Sequence, residues 1–90
     1  MLDIEWTEYL QYRAALRGFD LAELEQLVRY GSERYFDTQT GRSVVVGRCG
    51  KQLVIIPYDV EDETRTPVTV HAITRQQVSF RLRTGRFVYE

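Results

Sequence analysis

Apolar residues recur at helical spacing near the start of the chain and predict a first amphipathic helix. Trp6, Tyr9, Leu10 and Ala14 are separated by steps of one, three or four residues, so they share one face of a helix. Gly18 follows this pattern, and glycine is the residue that most often ends a helix. The apolar face is expected to pack against a sheet.

A second helix is predicted between Asp20 and Gly31. Asp20 and Glu23 have the spacing of a capping box, in which each side chain accepts a hydrogen bond from the other residue's backbone amide. Gly31 is a typical residue just beyond a helix C-terminus. The apolar stripe of this helix comprises Leu21, Leu24, Leu27 and Val28.

The strongest sheet signal is a pair of apolar runs, 43–46 and 53–56, on either side of residues 49–50. A glycine at the second position of a two-residue loop fits a tight β-hairpin, so this spacing predicts one. The predicted register places Arg48 opposite Lys51. Because both faces of the hairpin are largely apolar, we expect it in the middle of the sheet.

Weaker strand patterns surround the hairpin. Short strands are predicted at 33–37, 68–73 and 86–89, whereas the polar stretch 59–67 is interpreted as a solvated loop. Pro57 has no backbone N–H to donate, so it is expected to end its strand or to mark a sheet edge.

A short C-terminal helix is predicted to begin at Thr74. Thr74 and Gln77 again have capping-box spacing, and Val78 and Leu82 fall on one face. Together these elements predict a single α+β domain over residues 1–90. Two N-terminal helices pack on an antiparallel sheet of about four strands, and the short helix follows.

Composition agrees with a folded domain, and the near absence of cysteine favours either a reducing compartment or indifference to redox state. Hydrophobic residues make up 43% of the 90 residues, which is typical of a chain that buries a core. Cys49 is the single cysteine, so no disulfide framework is expected. The sequence has neither an apolar stretch of membrane-spanning length nor a signal-peptide pattern, and we expect a cytoplasmic protein without membrane contact.

The net charge of −1 conceals an asymmetry between the two ends. Residues 1–41 carry eight acidic side chains and four arginines, whereas residues 67–90 carry four arginines and one glutamate. A basic end of this kind is typical of a surface that binds an anion, most often nucleic acid. The alternative is that the basic end faces the acidic end or forms a solvated helix face.

His71 is the only histidine, and imidazole is the side chain best suited to acid–base chemistry near neutral pH. The strand pattern places it on one face with Thr69 and Ile73. The alternative is a structural histidine that hydrogen-bonds a neighbour. With one histidine and one cysteine, the sequence predicts no zinc site.

Arginine side chains provide a second set of candidates. A helix would place four residues at spacings of four, four and three on one polar, basic stripe: Arg75, Ser79, Arg83 and Arg86. Arginine binds phosphate through a planar bidentate fork. Arg48 and Lys51 lie together at the predicted hairpin tip. Each group is equally consistent with a solvated surface that keeps the protein in solution.

Six short motifs, read together, extend over most of the chain. They resemble the BrnT-like branch of the RelE/barnase-type toxin superfamily, and also a related uncharacterised bacterial domain family. The motifs are Ile4-Glu5-Trp6, Arg17-Gly18-Phe19, Arg34-Tyr35-Phe36-Asp37, Val46-Gly47-Arg48, Leu53-Val54-Ile55-Ile56 and Val70-His71-Ala72-Ile73-Thr74-Arg75.

The resemblance implies a RelE/barnase-like fold and a metal-independent endoribonuclease, without a cofactor, that an antitoxin protein neutralises. Arg48 would follow the family's Gly-Arg hairpin pattern, and Arg75 its basic start of the C-terminal helix. We expect both to act with His71 as catalytic residues. The residues expected to contact the RNA backbone are Lys51, Arg81, Arg83 and Arg86.

The alternative is a non-catalytic module that binds RNA or protein through the sheet and the basic helix. The sequence leaves open whether the chain also associates with a second copy of itself. The relative positions of three side chains distinguish the two functions. If Arg48, His71 and Arg75 meet in one concave site, the enzyme is favoured; if they diverge, the interaction module is favoured.

Overall fold

A computed structural model describes residues 2–90 and contains three helices and seven strands. The α+β fold predicted from the sequence is confirmed, with more strands than the four expected. In chain order the elements are β1 (Asp3–Ile4), α1 (Glu8–Leu16), α2 (Leu21–Tyr30), β2 (Glu33–Asp37), β3 (Arg42–Cys49), β4 (Gln52–Glu61), β5 (Thr64–Pro67), β6 (His71–Ala72), α3 (Arg75–Arg83) and β7 (Phe87–Tyr89).

All the strands belong to one sheet, in the order β1-β5-β4-β3-β2-β7, and β6 also pairs with β4. Every pairing is antiparallel except that of β1 with β5. The strongly apolar β3–β4 hairpin lies in the middle, as its sequence predicts. Strand β7 ends the sheet on one side, and β1 ends it on the other.

The register of the central hairpin differs from the predicted one. The two-residue loop is Gly50–Lys51, so Cys49 lies opposite Gln52 and Arg48 opposite Leu53. Gly50 has a φ of +64°, which glycine adopts freely, and a glycine at the first loop position is typical of a type II′ turn. The twist of that turn matches the twist of the strands, which explains why this loop forms.

Two further predictions about the sheet are wrong. The stretch 59–67 is not a loop, because β4 passes through Pro57, continues to Glu61 and turns at Asp62 into β5. Its polar side chains reflect a strand near the sheet edge. The predicted strand 68–73 is paired only at His71–Ala72.

A break between β5 and β6 accounts for that short pairing. Both strands lie on the same side of β4, and the pairing shifts by one residue between Tyr58↔Pro67 and Ile55↔His71. The shift occurs beside Pro57, which accepts a hydrogen bond from Val68 N (2.8 Å) but has no N–H to donate. Because Pro57 cannot donate, the hydrogen-bond ladder between β4 and the β5–β6 segment is interrupted at this point.

Each face of the sheet is covered by helix. On one face, α1 and α2 bury a cluster that consists of Leu10, Ala14, Leu24, Val28, Val45, Cys49, Val54, Ile56, Tyr58 and Val70. On the other face, α3 contributes Val78 to a second buried cluster, whose other members are Tyr35, Val44, Val46, Leu53, Ile55, Ile73 and Phe87. None of the helices in residues 2–90 is long and apolar enough to cross a bilayer.

Helix α2 packs closely on the sheet because two glycines leave room for it. A Cβ atom at Gly31 would lie 2.6 Å from the carbonyl oxygen of Leu27, and one at Gly47 would collide with the Leu27 side chain. At its C-terminus, α2 is held by two arginines: the carbonyl of Val28 accepts hydrogen bonds from Arg34 (2.8 Å) and Arg65 (2.6 Å). These cations satisfy an otherwise unpaired carbonyl at the negative end of the helix dipole.

The helix starts agree with the predictions in all but one contact. Asp20 caps α2 by accepting from Ala22 N (3.1 Å), but Glu23 does not return to the Asp20 amide. Instead Glu23 accepts from the Cys49 thiol at 3.2 Å. At α3 the full capping box forms, since Thr74 Oγ1 accepts from Gln77 N and Gln77 Oε1 accepts from Thr74 N.

We expect Asp20→Ala and Thr74→Ala each to lower the free energy of unfolding by about 1 kcal/mol, because each removes the acceptor for a free amide in the first helical turn. Urea denaturation measures the loss. Thr74→Ser keeps the hydroxyl and should retain most of the stability. Equal midpoints for Thr74→Ala and Thr74→Ser would show that the cap contributes nothing.

Candidate functional site

A cleft on the α3 side of the sheet brings together His71 and two of the arginines that the sequence proposes as site residues, Arg81 and Arg86. Its volume is about 250 Å³ and its floor is the apolar surface of β3 and β4. We call it the His71 cleft. The residues that line it are Asp37, Thr40, Arg42, Val44, Ile55, Pro57, Val68, Thr69, His71, Arg81 and Arg86.

Two of the three arginines in the His71 cleft have carboxylate partners. Arg86 donates two hydrogen bonds to Asp37, Nε to Oδ1 at 3.1 Å and Nη2 to Oδ2 at 3.0 Å. Asp37 is only 4% exposed, and burial alone would raise its pKa, but the hydrogen bonds from Arg86 and from the Gln39 amide outweigh burial and lower it. Arg42 donates to Asp59 at 3.0 Å.

Arg81 is the third arginine, and it has no carboxylate partner among residues 2–90. It is half-buried, and its guanidinium carbon lies 5.5 Å from the centre of the Phe87 ring. Burial, and next the nearby charge of Arg86, lower the pKa of Arg81, although a guanidinium stays protonated at any physiological pH. The cleft therefore holds one guanidinium that has no ion pair in the described chain, and the only negative charge that acts on it from nearby is that of Asp37, which Arg86 already binds.

His71 faces the same cleft from β6, on the sheet face that the sequence predicts. Neither ring nitrogen has a hydrogen-bond partner within residues 2–90. Burial lowers the pKa of His71, and the charges of Arg17, Arg13 and Arg81 lower it further, so the imidazole is neutral at pH 7. It is not the structural histidine of the alternative interpretation, which requires a bonded neighbour.

Thr69 adds another unsatisfied group. Its hydroxyl is buried in the wall of the cleft and has no partner in the described chain. A buried hydroxyl without a partner is uncommon in folded proteins, and each such group calls for an explanation. The Thr69 hydroxyl oxygen is itself closed to solvent, so Arg81 and His71 are the groups that bring a fixed cation and a titratable imidazole to this small cavity.

A larger, shallower groove of about 690 Å³ adjoins the His71 cleft, and Arg81 and Arg86 line both. We call it the Phe80 groove. The Phe80 ring is 56% exposed, and the guanidinium of Arg83 lies 5.9 Å from its centre. The remaining lining residues are polar, mostly amides: Gln39, Thr74, Gln76, Gln77 and Thr84.

Arg75 is placed elsewhere, in contact with β2. Its Nη1 lies 2.7 Å from Glu33 Oε2, which also accepts from the Tyr35 hydroxyl at 2.6 Å. Burial would raise the pKa of Glu33, but its bonds with Arg75 and Tyr35 lower it; burial and the bond to Glu33 raise the pKa of Tyr35 to about 12. Arg75 is thus engaged in a surface ion pair.

Arg48 and Lys51 lie at the hairpin tip. Arg48 Nη1 donates to the backbone oxygen of Lys51 at 2.9 Å, and Arg48 lines a separate groove beside α2. Lys51 lines neither the His71 cleft nor the Phe80 groove. Of the residues proposed from the sequence, the structure brings together His71, Arg81 and Arg86, with Arg83 nearby. It does not bring Arg48 or Arg75 to His71.

Three polar residues that line the His71 cleft were not predicted as site residues from the sequence: Asp37, Thr40 and Arg42. Strand alternation offered a signal for Arg42, because it has the same parity as Val44 and so shares its face. No local signal pointed to Asp37, whose partner Arg86 is 49 residues away along the chain.

The arrangement suits an anion better than a metal cation. Across residues 2–90, no group of three or more histidine, cysteine, aspartate or glutamate side chains is placed to hold a metal ion. The unpaired groups that the His71 cleft offers are two nitrogen-bearing side chains, which both can donate to phosphate or carboxylate oxygens.

The lowered pKa of His71 predicts a pH dependence of stability. The unfolded imidazole takes up a proton near pH 6.5, whereas the folded one does so only at lower pH. Between these values the unfolded state binds more protons, so the free energy of unfolding falls as the pH is lowered from about 7. Urea denaturation should show a steeper fall for the wild type than for His71→Gln; parallel curves would contradict the burial of a neutral imidazole.

Comparison of the chain with protein-family models, with curated proteins and with solved structures gave no match in any of the three searches. The resemblance to BrnT-like toxins therefore stays a prediction from the sequence motifs. The functional interpretation depends on the geometry of the His71 cleft and the Phe80 groove.

Proposed function

We propose that the protein binds single-stranded RNA, with a backbone phosphate in the His71 cleft. The observation that carries this proposal is the half-buried Arg81, whose charge has no carboxylate partner among residues 2–90. A buried cation without a counter-ion is costly, and a phosphate oxygen would supply both the charge and the hydrogen bonds. His71 lines the same cleft and offers a further hydrogen-bonding group.

The neighbouring Phe80 groove supports RNA rather than a free phosphate. Arg81 and Arg86 form the boundary between the two cavities, so a strand with one phosphate at Arg81 can continue into the groove. There the exposed Phe80 ring offers a surface on which a base can stack, with Arg83 beside it. An unpaired strand is favoured, because stacking of this kind requires a base that is free of a partner.

A second candidate function is the toxin-like, metal-independent endoribonuclease that the resemblance implies. It is favoured by one observation, which is that a neutral His71 lines the same cleft as the cationic Arg81. A neutral imidazole can take the proton from the ribose 2′-hydroxyl, and a guanidinium can stabilise the charge that develops on the attacked phosphate. In this version Arg81 takes the role that the sequence motifs gave to Arg48 and Arg75.

We expect Arg81→Gln to weaken binding of single-stranded RNA about tenfold at low salt, since a hydrogen bond to a charged group contributes roughly 1.5–3 kcal/mol. The slope of log affinity against log salt should decrease by about 0.7 for the lost phosphate contact. Fluorescence anisotropy measures both. Lys51→Gln changes the net charge equally but lies outside the cleft, so its affinity should stay close to that of the wild type.

Equal losses in the Arg81→Gln and Lys51→Gln variants would place RNA binding elsewhere on the surface. A wild-type protein that binds no RNA at low salt would remove RNA from the list of ligands altogether, leaving the protein-binding module as the function.

The ribonuclease candidate makes a separate prediction. The purified protein should cleave RNA in the presence of a chelator, and its expression without an antitoxin should slow bacterial growth. His71→Ala should reduce cleavage about 10²–10⁴-fold, which is the usual contribution of a general acid or base. Arg75→Ala and Arg48→Ala are the matched arginine variants: cleavage that survives in both but not in Arg81→Gln would assign the phosphate to the His71 cleft. RNA that is bound but left intact would leave only the binding function.

A further inference from the structure

Strand β7 forms an open edge of the sheet within residues 2–90. It pairs only with β2, at Tyr35↔Tyr89, Phe36↔Val88 and Asp37↔Phe87, and no described strand lies on its other side. Exposed edges are commonly protected by inward charges, prolines or a covering loop, because their free amides and carbonyls template pairing with another strand. In this chain β7 has the sequence Phe-Val-Tyr and contains none of these charged or proline residues.

The directions of the backbone groups follow from the pairing with β2. Arg86 O accepts from Thr38 N at 2.7 Å, and Glu90 N donates to Arg34 O at 3.4 Å. Antiparallel hydrogen-bonded pairs recur at every second residue, so Val88 also bonds toward β2. The amides and carbonyls of Phe87 and Tyr89 therefore point away from the sheet, toward the open side.

The side chains of β7 are unusually apolar for such an edge. Val88 is 44% exposed and Tyr89 is 80% exposed, and Phe36, which pairs with Val88, is 37% exposed. The flanking residues have opposite charges, Arg86 before the strand and Glu90 after it. Arg86 is already paired with Asp37, and Glu90 accepts from Ser43 at 2.7 Å, so the self-complementarity of the strand lies in its backbone: Phe87 and Tyr89 each present one outward amide and one outward carbonyl.

We propose that β7 pairs antiparallel with β7 of a second copy of the chain, about a twofold axis at Val88. In this register Phe87 lies opposite Tyr89 of the second copy, so each such pair exchanges both of its outward hydrogen bonds. This register also keeps the two Glu90 carboxylates apart. Registers centred on Phe87 or Tyr89 form fewer hydrogen bonds between the two β7 strands.

The pairing would join the two sheets into one continuous sheet and place the two Val88 side chains side by side. Directly opposed residues in a pair that is not hydrogen-bonded are the closest neighbours in an antiparallel ladder. Val88 is therefore the position at which a charge affects the association most and the isolated fold least, because its side chain is already substantially exposed.

Sedimentation velocity over a range of concentrations tests the proposal. The wild type should reach a dimer, and Val88→Lys or Val88→Glu alone should raise the monomer–dimer midpoint about tenfold or more through like-charge repulsion at the axis. Val88→Thr, the matched neutral variant, should still dimerise. An equimolar mixture of Val88→Lys and Val88→Glu should form a heterodimer, which shows that both variants are folded.

Proline provides a backbone test. Tyr89→Pro removes an outward amide and leaves the bonds to β2 in place, so it should be monomeric, whereas Tyr89→Val should dimerise. A wild type that stays monomeric at high concentration would overturn the proposal. So would dimers of undiminished affinity in the Val88→Lys or Tyr89→Pro variants, or a Lys–Glu mixture that remains monomeric.

Discussion

Burial of the β3–β4 hairpin on both faces is the constraint on which the rest of the structure depends. Val45, Val54 and Ile56 face α1 and α2, while the residues between them face α3. A strand pair that is apolar on both sides must be covered twice. Helices from the two ends of the chain meet this need, which fixes where each end lies and brings the basic C-terminal segment onto the face of His71.

On that face some arginines have carboxylate partners and one does not, which distinguishes the His71 cleft from the rest of the surface. Arg86 and Arg42 form ion pairs with carboxylates, whereas the Arg81 guanidinium lies over the Phe87 ring and has no ion pair within residues 2–90. The break between β5 and β6 lies beside Pro57, and His71 and Thr69 line the cleft at this point. The cleft thus combines an unpaired guanidinium with a neutral imidazole, an arrangement that suits an anion.

Much of the fold could be predicted from local sequence, whereas the site could be predicted only in part. Helical periodicity and the Thr74–Gln77 box located α3, and alternation placed His71 on the correct face. The hairpin loop was misplaced by one residue, because a single glycine fits either loop position. Strand β5 was not predicted because its residues Thr64–Pro67 are mostly polar and show no apolar alternation. The types of residue in the site could be predicted. Their positions relative to one another depend on long-range pairs such as Asp37–Arg86, which no local sequence pattern indicates.

The close fit of α2 on the sheet links two positions that lie far apart in the chain. Leu27 occupies the space in which any residue other than glycine at position 47 would place its first side-chain atom. A larger residue at position 47 therefore requires the Leu27 side chain to move or to be replaced by a smaller one. In homologous chains, the two positions should consequently vary together, with alanine or serine at position 47 accompanied by a shorter side chain at position 27. This covariation would identify proteins that share the same helix-on-sheet packing even after their other motifs have diverged.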